Sequence, residues 1–561
     1  MSYKIGVSSG WWKIDRPADL LGLATKVGSF GGTAGVSFIQ ADLDTTSEFF
    51  EPRLVEHMKR IKKKMGMDLG LHAEVGELMA LESSERRIWD QSHLRLVETV
   101  RHAADLDVKY INVHLSNKPQ LLFLEAQYRV TGYFYPVVGF DGRPLYSICD
   151  QSKEARKIAE KHLMGINRLI ADDAREKYEE IVQDYYRREE DRLATKRVPE
   201  ALNELRQSHD WNAARTDMER QAMERAVEDN TRRRIHDEVN RTMELEAPKL
   251  LYEVWRYAQN AKYNIETAEI AAYNIVGAYM KEKADPIWSS LCGSDDPEKA
   301  YVEKHPAFNA AVAARYIRGH LEVKWPDVNK RLLDGMSVLE WLEKKKIVLA
   351  FEIPEAQEGH EGLLRLFNPL DGDLMIRTIG SPMLKLCIDF EHMLAHKLKV
   401  EDFIKKAPAD IGKDILLFHI GKPIPYFGMA HAPIPIGSRS QEIIYGWLYQ
   451  FRKKGFRDGY LIYERGGGKS AFEIMQNSVW VMRQLVKYLE LDTDPDKLPA
   501  DFYGVAEQTK EIYARQFVTM REHAWDPLEG LLTVPEEKHT FFSKAAVDKQ
   551  KGELWEKRKY R

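Results

Sequence analysis

The chain has 561 residues, 44% of them hydrophobic and 30% charged, with a formal net charge of −4. That near-balance argues against a protein that coats nucleic acid through bulk charge, and the length leaves room for a large core plus additions. The three cysteines, Cys149, Cys292 and Cys387, form no CxxC pair, which rules out a cysteine-built zinc site and suggests a reducing compartment, and no apolar run is long enough to span a bilayer.

The N-terminal stretch MSYKIGVSSGWW enters a strand at once, without the basic, apolar, small-residue progression of a signal peptide, so the expected location is the cytoplasm. After this first strand at 3–9, a second is predicted at 35–43 (GVSFIQADL) and a third at 67–76 (MDLGLHAEVG). An amphipathic helix across 84–106, with Ile88, Leu94, Val97 and Val100 at helical spacing, leads to a fourth at 108–116 (VKYINVHLS). Regular alternation then stops. Residues 117–335 read as an insertion, a hairpin across 128–150 turning at Asp141-Gly142 and then long charged helices. Strands resume at 345–355, 383–392, 414–421 and 458–468, with helical segments between them, and 491–561 read as a helical extension ending in a basic tail.

The eight strand candidates are nearly continuous in apolar residues, as parallel strands buried on both faces should be. The expected fold is α/β, a (β/α)8 TIM barrel formed by 1–116 and 336–490 and interrupted after strand four by the mainly α-helical insertion. A doubly wound open sheet is the alternative. The polar residues favour the barrel. Strand three ends at His72, four at His114, five at Glu352, six at Asp389, seven at His419 and eight at Glu464. In a barrel those strand ends converge on one mouth, where imidazole and carboxylate together suit zinc, manganese or iron. Two histidines extend the set: His392, three residues after Asp389, and His431, carried by the proline-stiffened loop that follows His419. Taken singly, each has a plainer reading as a hydrogen-bonded or solvated group; their coincidence at one end of six successive strands is what points to a cation. Several carboxylates buried in one mouth need a counter-charge.

These segments resemble the xylose-isomerase-like TIM barrels and, within them, endonuclease IV, the zinc-dependent apurinic-site endonuclease. The matching segments are GLHAEV, INVHLS, LAFEIPE, LCIDFEHMLAH, LLFHIG and LIYERGG, with the Cys-Ile-Asp-x-x-His run the most specific. The resemblance covers 1–116 and about 336–490. It implies one zinc on His72, His114 and Glu352, a second bridged by Glu352 and completed by Asp389, His419 and Glu464, and a third on His392 and His431. Where the family reads Asp-Arg-His, this chain has Met429-Ala430-His431, so the third site lacks its carboxylate. Glu74 also stands near the mouth, where an acid would repel a phosphate backbone.

The expected function is a metal-dependent hydrolase of phosphoester bonds, with two or three Zn2+ ions, Mn2+ or another divalent metal as the alternative, Glu352 and Glu464 as catalytic groups, and damaged DNA among the phosphate-containing substrates. The alternative is a sugar isomerase or epimerase using one divalent metal on Glu352, Asp389, His419 and Glu464. A third reading is a non-enzymatic binding protein, with the insertion mediating oligomerisation or a protein partner; its Arg232, Arg233 and Arg234 read as a solvated helix face. The loop ERGGGKSAFE lacks the spacing of a nucleotide-binding P-loop and places a capping box at Ser470 and Glu473. His396, His93, His102, His360 and His539 are expected at the surface, and the insertion is expected beside the barrel mouth.

Overall fold

Short apolar runs closed by a polar residue become the staves of a barrel. The computed structural model describes residues 3–9, 35–43, 52–73, 80–118, 137–159, 172–257, 265–293, 307–356, 361–425, 431–464 and 472–504. Its strands are β1 (Tyr3–Ser8), β2 (Phe38–Asp42), β3 (Asp68–His72), β4 (Tyr110–His114), β5 (Val348–Glu352), β6 (Leu384–Asp389), β7 (Ile415–Ile420) and β8 (Gly459–Tyr463). They are parallel and pair in chain order, and β8 returns to β1 to close the barrel. This is the (β/α)8 TIM barrel, and all eight expected strands are present.

The main helices are α1 (Pro52–Met65), α2 (Arg86–Leu106), α3 (Asp172–Gln207), α4 (Asp217–Tyr257), α5 (Ile265–Glu282), α6 (Pro286–Cys292), α7 (Phe308–Glu322), α8 (Val338–Lys345), α9 (Pro369–Ile379), α10 (Phe390–Ala395), α11 (Arg439–Lys453) and α12 (Phe472–Glu490). Local chemistry sets several of their ends. At α8, the Ser337 hydroxyl accepts from the Glu340 amide while the Glu340 carboxylate accepts from the Ser337 amide, a reciprocal cap. At α9, the Asn368 side chain accepts from the Leu370 amide, Pro369 supplies the first helical residue, and Gly380 ends the helix at φ 77°.

Inside the barrel, Phe38, Tyr110 and Tyr460 pack together with ring centroids 4.5–5.6 Å apart and form an apolar floor. Gly70 makes room for it: a Cβ there would stand 2.4 Å from the Tyr110 ring. Above the floor, register sets the polar layer. His72 pairs with Asn112, His114 with Glu352, and Asp389 with His419, so residues far apart in sequence reach the same height on the wall.

Between β4 and β5 the helices serve two purposes. Helices α3 and α4, ~54 and ~60 Å long at 1.5 Å per residue, run antiparallel, as the pairs Arg197–Glu238 and Arg206–Glu224 require. They keep a small core of their own: Ala194, Val198, Ile235 and Val239. Helices α5 and α7 instead join the main core through residues such as Tyr273, Ile275, Val312 and Tyr316. A buried ion network fixes α5 on the mouth side. Arg365, between β5 and α9, donates to Glu269 at 2.8 Å, and the same carboxylate accepts from Ser83 and from the Ser84 amide, between β3 and α2. The insertion therefore packs on loops that leave the C-terminal ends of the strands, as expected.

The hairpin across 128–150 shrinks. Residues 128–136 lie outside the described residues; a single antiparallel bridge, Val138 to Pro144, flanks the turn at Asp141-Gly142, and Tyr146–Cys149 is helical rather than extended. The extension 491–561 is described only to residue 504, where it forms two short 3-10 turns. Among the described residues no helix is long and apolar enough to cross a membrane.

Candidate metal centre

The eight side chains singled out in the sequence gather at the barrel mouth. Four overlapping sets among the described residues have their ligand atoms within 4.8 Å of one another: His72, His114 and Glu352; Glu352, Asp389, His419 and Glu464; Asp389, His392, His431 and Glu464; and Glu352, Cys387 and His419. Glu352 lies at the centre and is fully buried. His419 Nδ1 stands 2.9 Å from its Oε1 and 2.8 Å from Glu464 Oε2, with Asp389 Oδ2 at 3.7 Å. His392 Nδ1 is 3.2 Å and His72 Nε2 3.3 Å from the Glu352 carboxylate.

Backbone carbonyls orient two of the imidazoles. His72 Nδ1–H donates to Ala73 O at 2.8 Å, which turns Nε2 toward Glu352. His392 Nδ1 lies 3.0 Å from Ile353 O, and Asp389 caps the helix carrying His392 by accepting its backbone amide at 2.9 Å. Asp389 is therefore both the end of β6 and the N-cap of α10.

Burial and mutual attraction pull the protonation states apart. Burial would raise Glu352, but His419, His392 and His72 around it hold its carboxyl well below the usual range. Burial lifts Asp389 to about 7, helped by the neighbouring carboxylates. Burial opposes charge on His72, yet the Glu352 carboxylate raises it to about 9; His431 also reaches about 9 through Glu391 and Glu464. His114 goes the other way, falling to about 4 because burial dominates.

Three residues at the mouth went unnoticed in the sequence. Asn112 donates its amide to Glu352 Oε2. Glu391 contacts His431 Nδ1 directly and is lodged against Gly421, where a Cβ would lie 2.5 Å from its carboxylate. Gln40, on β2, reaches the far nitrogen of His419. A signal existed for two of them: Gln40 and Asn112 are polar residues inside otherwise apolar strands, the pattern of an inward-facing polar position. Glu391 had none, because an acid in the first turn of a helix is ordinary. Met429, Glu74 and Ser470 lie outside the described residues, as do His360 and His539. His396 and His93 are buried rather than exposed. His396 accepts from the Gly362 amide and donates to Pro354 O, both at 3.0 Å, so it braces the loop after β5.

The donor set fits a divalent cation. Among the described residues, His114 Nδ1 is buried without a hydrogen-bond partner. Three carboxylates converging on one imidazole nitrogen in a buried mouth form a site whose charge a cation would balance.

No protein-family model matches the chain, and no curated protein matches it. Solved structures that resemble it include an L-ribulose 3-epimerase, at 9% identity and TM-score 0.40 over 89% of this chain and 99% of that one. Another is a D-psicose 3-epimerase determined in the presence of D-fructose, at 9% identity and TM-score 0.39 over 87% and 99%. A third is the D-psicose 3-epimerase of Clostridium cellulolyticum H10 with D-tagatose, at 9% identity and TM-score 0.37 over 87% and 99%.

The expectation of a phosphoester hydrolase close to endonuclease IV is corrected. The three solved structures named above are sugar 3-epimerases, the class held as the alternative. Glu391 holds the Nδ1 of His431 and leaves Nε2 facing Glu464 at 3.6 Å. Zinc and DNA repair lose their support with that reading.

Proposed function

We propose that the protein is a metal-dependent sugar isomerase or epimerase, with one divalent cation held by Glu352, Asp389, His419 and Glu464. The observation that carries this reading is the quartet itself: one ligand from or beside each of β5, β6, β7 and β8, with all ligand atoms within 4.8 Å. The cation, when bound, would polarise the carbonyl and adjacent hydroxyl of a ketose and so acidify the neighbouring C–H. The chain's own groups then divide the remaining work. Glu464 is the quartet's most exposed side chain at 14%, against 0–2% for the others, and it is the carboxylate an incoming sugar meets first. It is the group suited to take the proton from carbon. Glu352, held by Asn112, His72, His392 and His419, is fixed as a ligand and as the partner on the opposing side of the exchange. His72 and His114 line the β3–β4 side, where imidazoles can bond the hydroxyls of a polyol chain.

The test is solvent exchange. The protein loaded with one equivalent of Mn2+, Co2+ or Mg2+ is incubated with a panel of ketoses in D2O. Deuterium is expected at the carbon beside the carbonyl, and Glu464→Gln, assayed at saturating metal, is expected to abolish it. Metal-loaded protein that exchanges no C–H of any ketose, or Glu464→Gln that exchanges at the wild-type rate, refutes the proposal.

A further inference from the structure

The proposed quartet contains one histidine, and an imidazole can ligate through either nitrogen. Which one is free depends on what holds the other. In this chain the holder is Gln40, from the opposite wall of the barrel. Its Oε1 lies 3.1 Å from His419 Nε2 and 2.9 Å from the Tyr110 hydroxyl, which donates to it. The amide's orientation is fixed at its other end, where Nε2 donates to Asp42 Oδ1 at 3.1 Å. An ionised carboxylate can only accept, so the NH2 must face Asp42 and the carbonyl oxygen must face His419. An oxygen cannot donate; His419 Nε2 therefore carries the hydrogen. Nδ1 is left to the three carboxylates, at 2.8, 2.9 and 3.7 Å.

Gln40 and Tyr110 are both fully buried. The line is continuous: Gly70 admits the Tyr110 ring, Tyr110 fixes Gln40, and Gln40 fixes His419. Asp42 is held in turn, its backbone amide donating to Ser9 Oγ at 2.8 Å.

We infer that Gln40, supported by Tyr110 and Asp42, is a positioning residue that keeps the proton on His419 Nε2 and presents Nδ1 to a divalent cation. This rests on the single-metal reading above and adds to it a residue that touches neither metal nor substrate. Outer partners of metal-binding histidines are worth roughly 10–100-fold in metal affinity.

The experiment titrates the full-length protein with Co2+, followed by its visible absorption, in wild type, Gln40→Met, Gln40→Glu and Tyr110→Phe. Gln40→Met keeps length but removes the acceptor and is expected to bind about 10–100-fold more weakly. Gln40→Glu restores an acceptor oxygen and is expected to lie within a few-fold of wild type; Tyr110→Phe is expected to fall between. Imidazole 15N NMR of the Zn2+-loaded wild type is expected to show His419 with Nε2 protonated and Nδ1 on the metal. This second measurement decides the matter if Gln40→Met fails to fold. Wild-type affinity in Gln40→Met, or a His419 bound through Nε2, overturns the inference and leaves the quartet standing. A wild-type protein that binds no divalent ion overturns the quartet itself, and the inference falls with it.

Discussion

His93 on α2 and His320 on α7 form a buried pair that should make the fold acid-sensitive independently of the metal centre. Both are at most 1% exposed and stack on Trp89, whose ring centroid lies 4.2 Å from His320 and 5.1 Å from His93. Asn329 donates its amide to Val323 O and Met336 O, so its Oδ1 must accept, and His93 Nε2–H donates to it at 3.2 Å. His93 Nδ1 is then a lone pair facing His320 Nδ1 at 3.4 Å. One proton fits between those nitrogens; a second turns a bond into repulsion. Burial lowers His93 from 6.5 to about 4 and holds His320 well below its usual value. Because the unfolded chain binds these protons first, stability is lost as pH falls from about 6.5 toward 4. At pH 4.5 the His93 shift alone corresponds to about 2.5 kcal/mol, at 1.36 kcal/mol per pKa unit. Gln at 93 can donate and accept without titrating. Urea denaturation at pH 7 and 4.5 should therefore show His93→Gln losing about 2–3 kcal/mol less than wild type over that interval. Carboxylates elsewhere titrate in both proteins and cancel in the difference. Parallel losses in the two proteins would refute the reasoning.

Three other outcomes follow from the geometry. Glu352→Gln removes the charge that His72, His392 and His419 face, and elemental analysis of the purified variant should find less than one equivalent of metal where wild type carries one. Arg365→Met strands the buried Glu269 carboxylate and should cost about 3–5 kcal/mol in chemical denaturation, with a large part recovered when Glu269→Gln is added. Gly421→Ala pushes a methyl to within 2.5 Å of the Glu391 carboxylate, and should lower stability by about 1–3 kcal/mol, relieved by adding Glu391→Ala.

The barrel was legible because two signals coincide on every strand: an apolar run buried on both faces, and a polar terminus. His72, His114, Glu352, Asp389 and His419 all sit at the last residue of a strand or one before it, and Glu464 is the residue after β8. A strand end is a position the sequence marks twice. Gln40 lies two residues inside β2 and Asn112 two inside β4, where a polar residue among apolar ones marks an inward position but not the partner it meets. Which wall they face depends on closure and register, quantities no single segment carries. Glu391 shows another limit: its role comes from His431, forty residues on, and from a glycine that leaves it room. His93 and His396 failed for a related reason. A polar residue on an amphipathic helix reads as solvated until a second helix or loop is laid over it, and here α7 and the loop after β5 do so.

The mouth also has to solve a charge problem whether or not a cation is present. Glu352, Asp389, Glu391 and Glu464 are side chains with little or no access to water, and an ionised carboxylate there needs a positive neighbour. The metal-free chain meets that need with protons: burial opposes charge on the imidazoles, but the carboxylates override it, raising His72 and His431 to about 9 and His392 and His419 well above their ordinary value. A cation brings the same charge and needs an imidazole that is neutral. Binding must therefore expel protons at neutral pH, and affinity should climb with pH until those imidazoles are neutral without help. His114, lowered to about 4 by burial, is already neutral and contributes nothing to the slope. Calorimetric titration of Mn2+ in buffers of differing ionisation enthalpy, between pH 6.5 and 8.5, should report at least one proton released per ion. An affinity flat across that interval would mean that the carboxylates are neutralised by something other than the imidazoles they face.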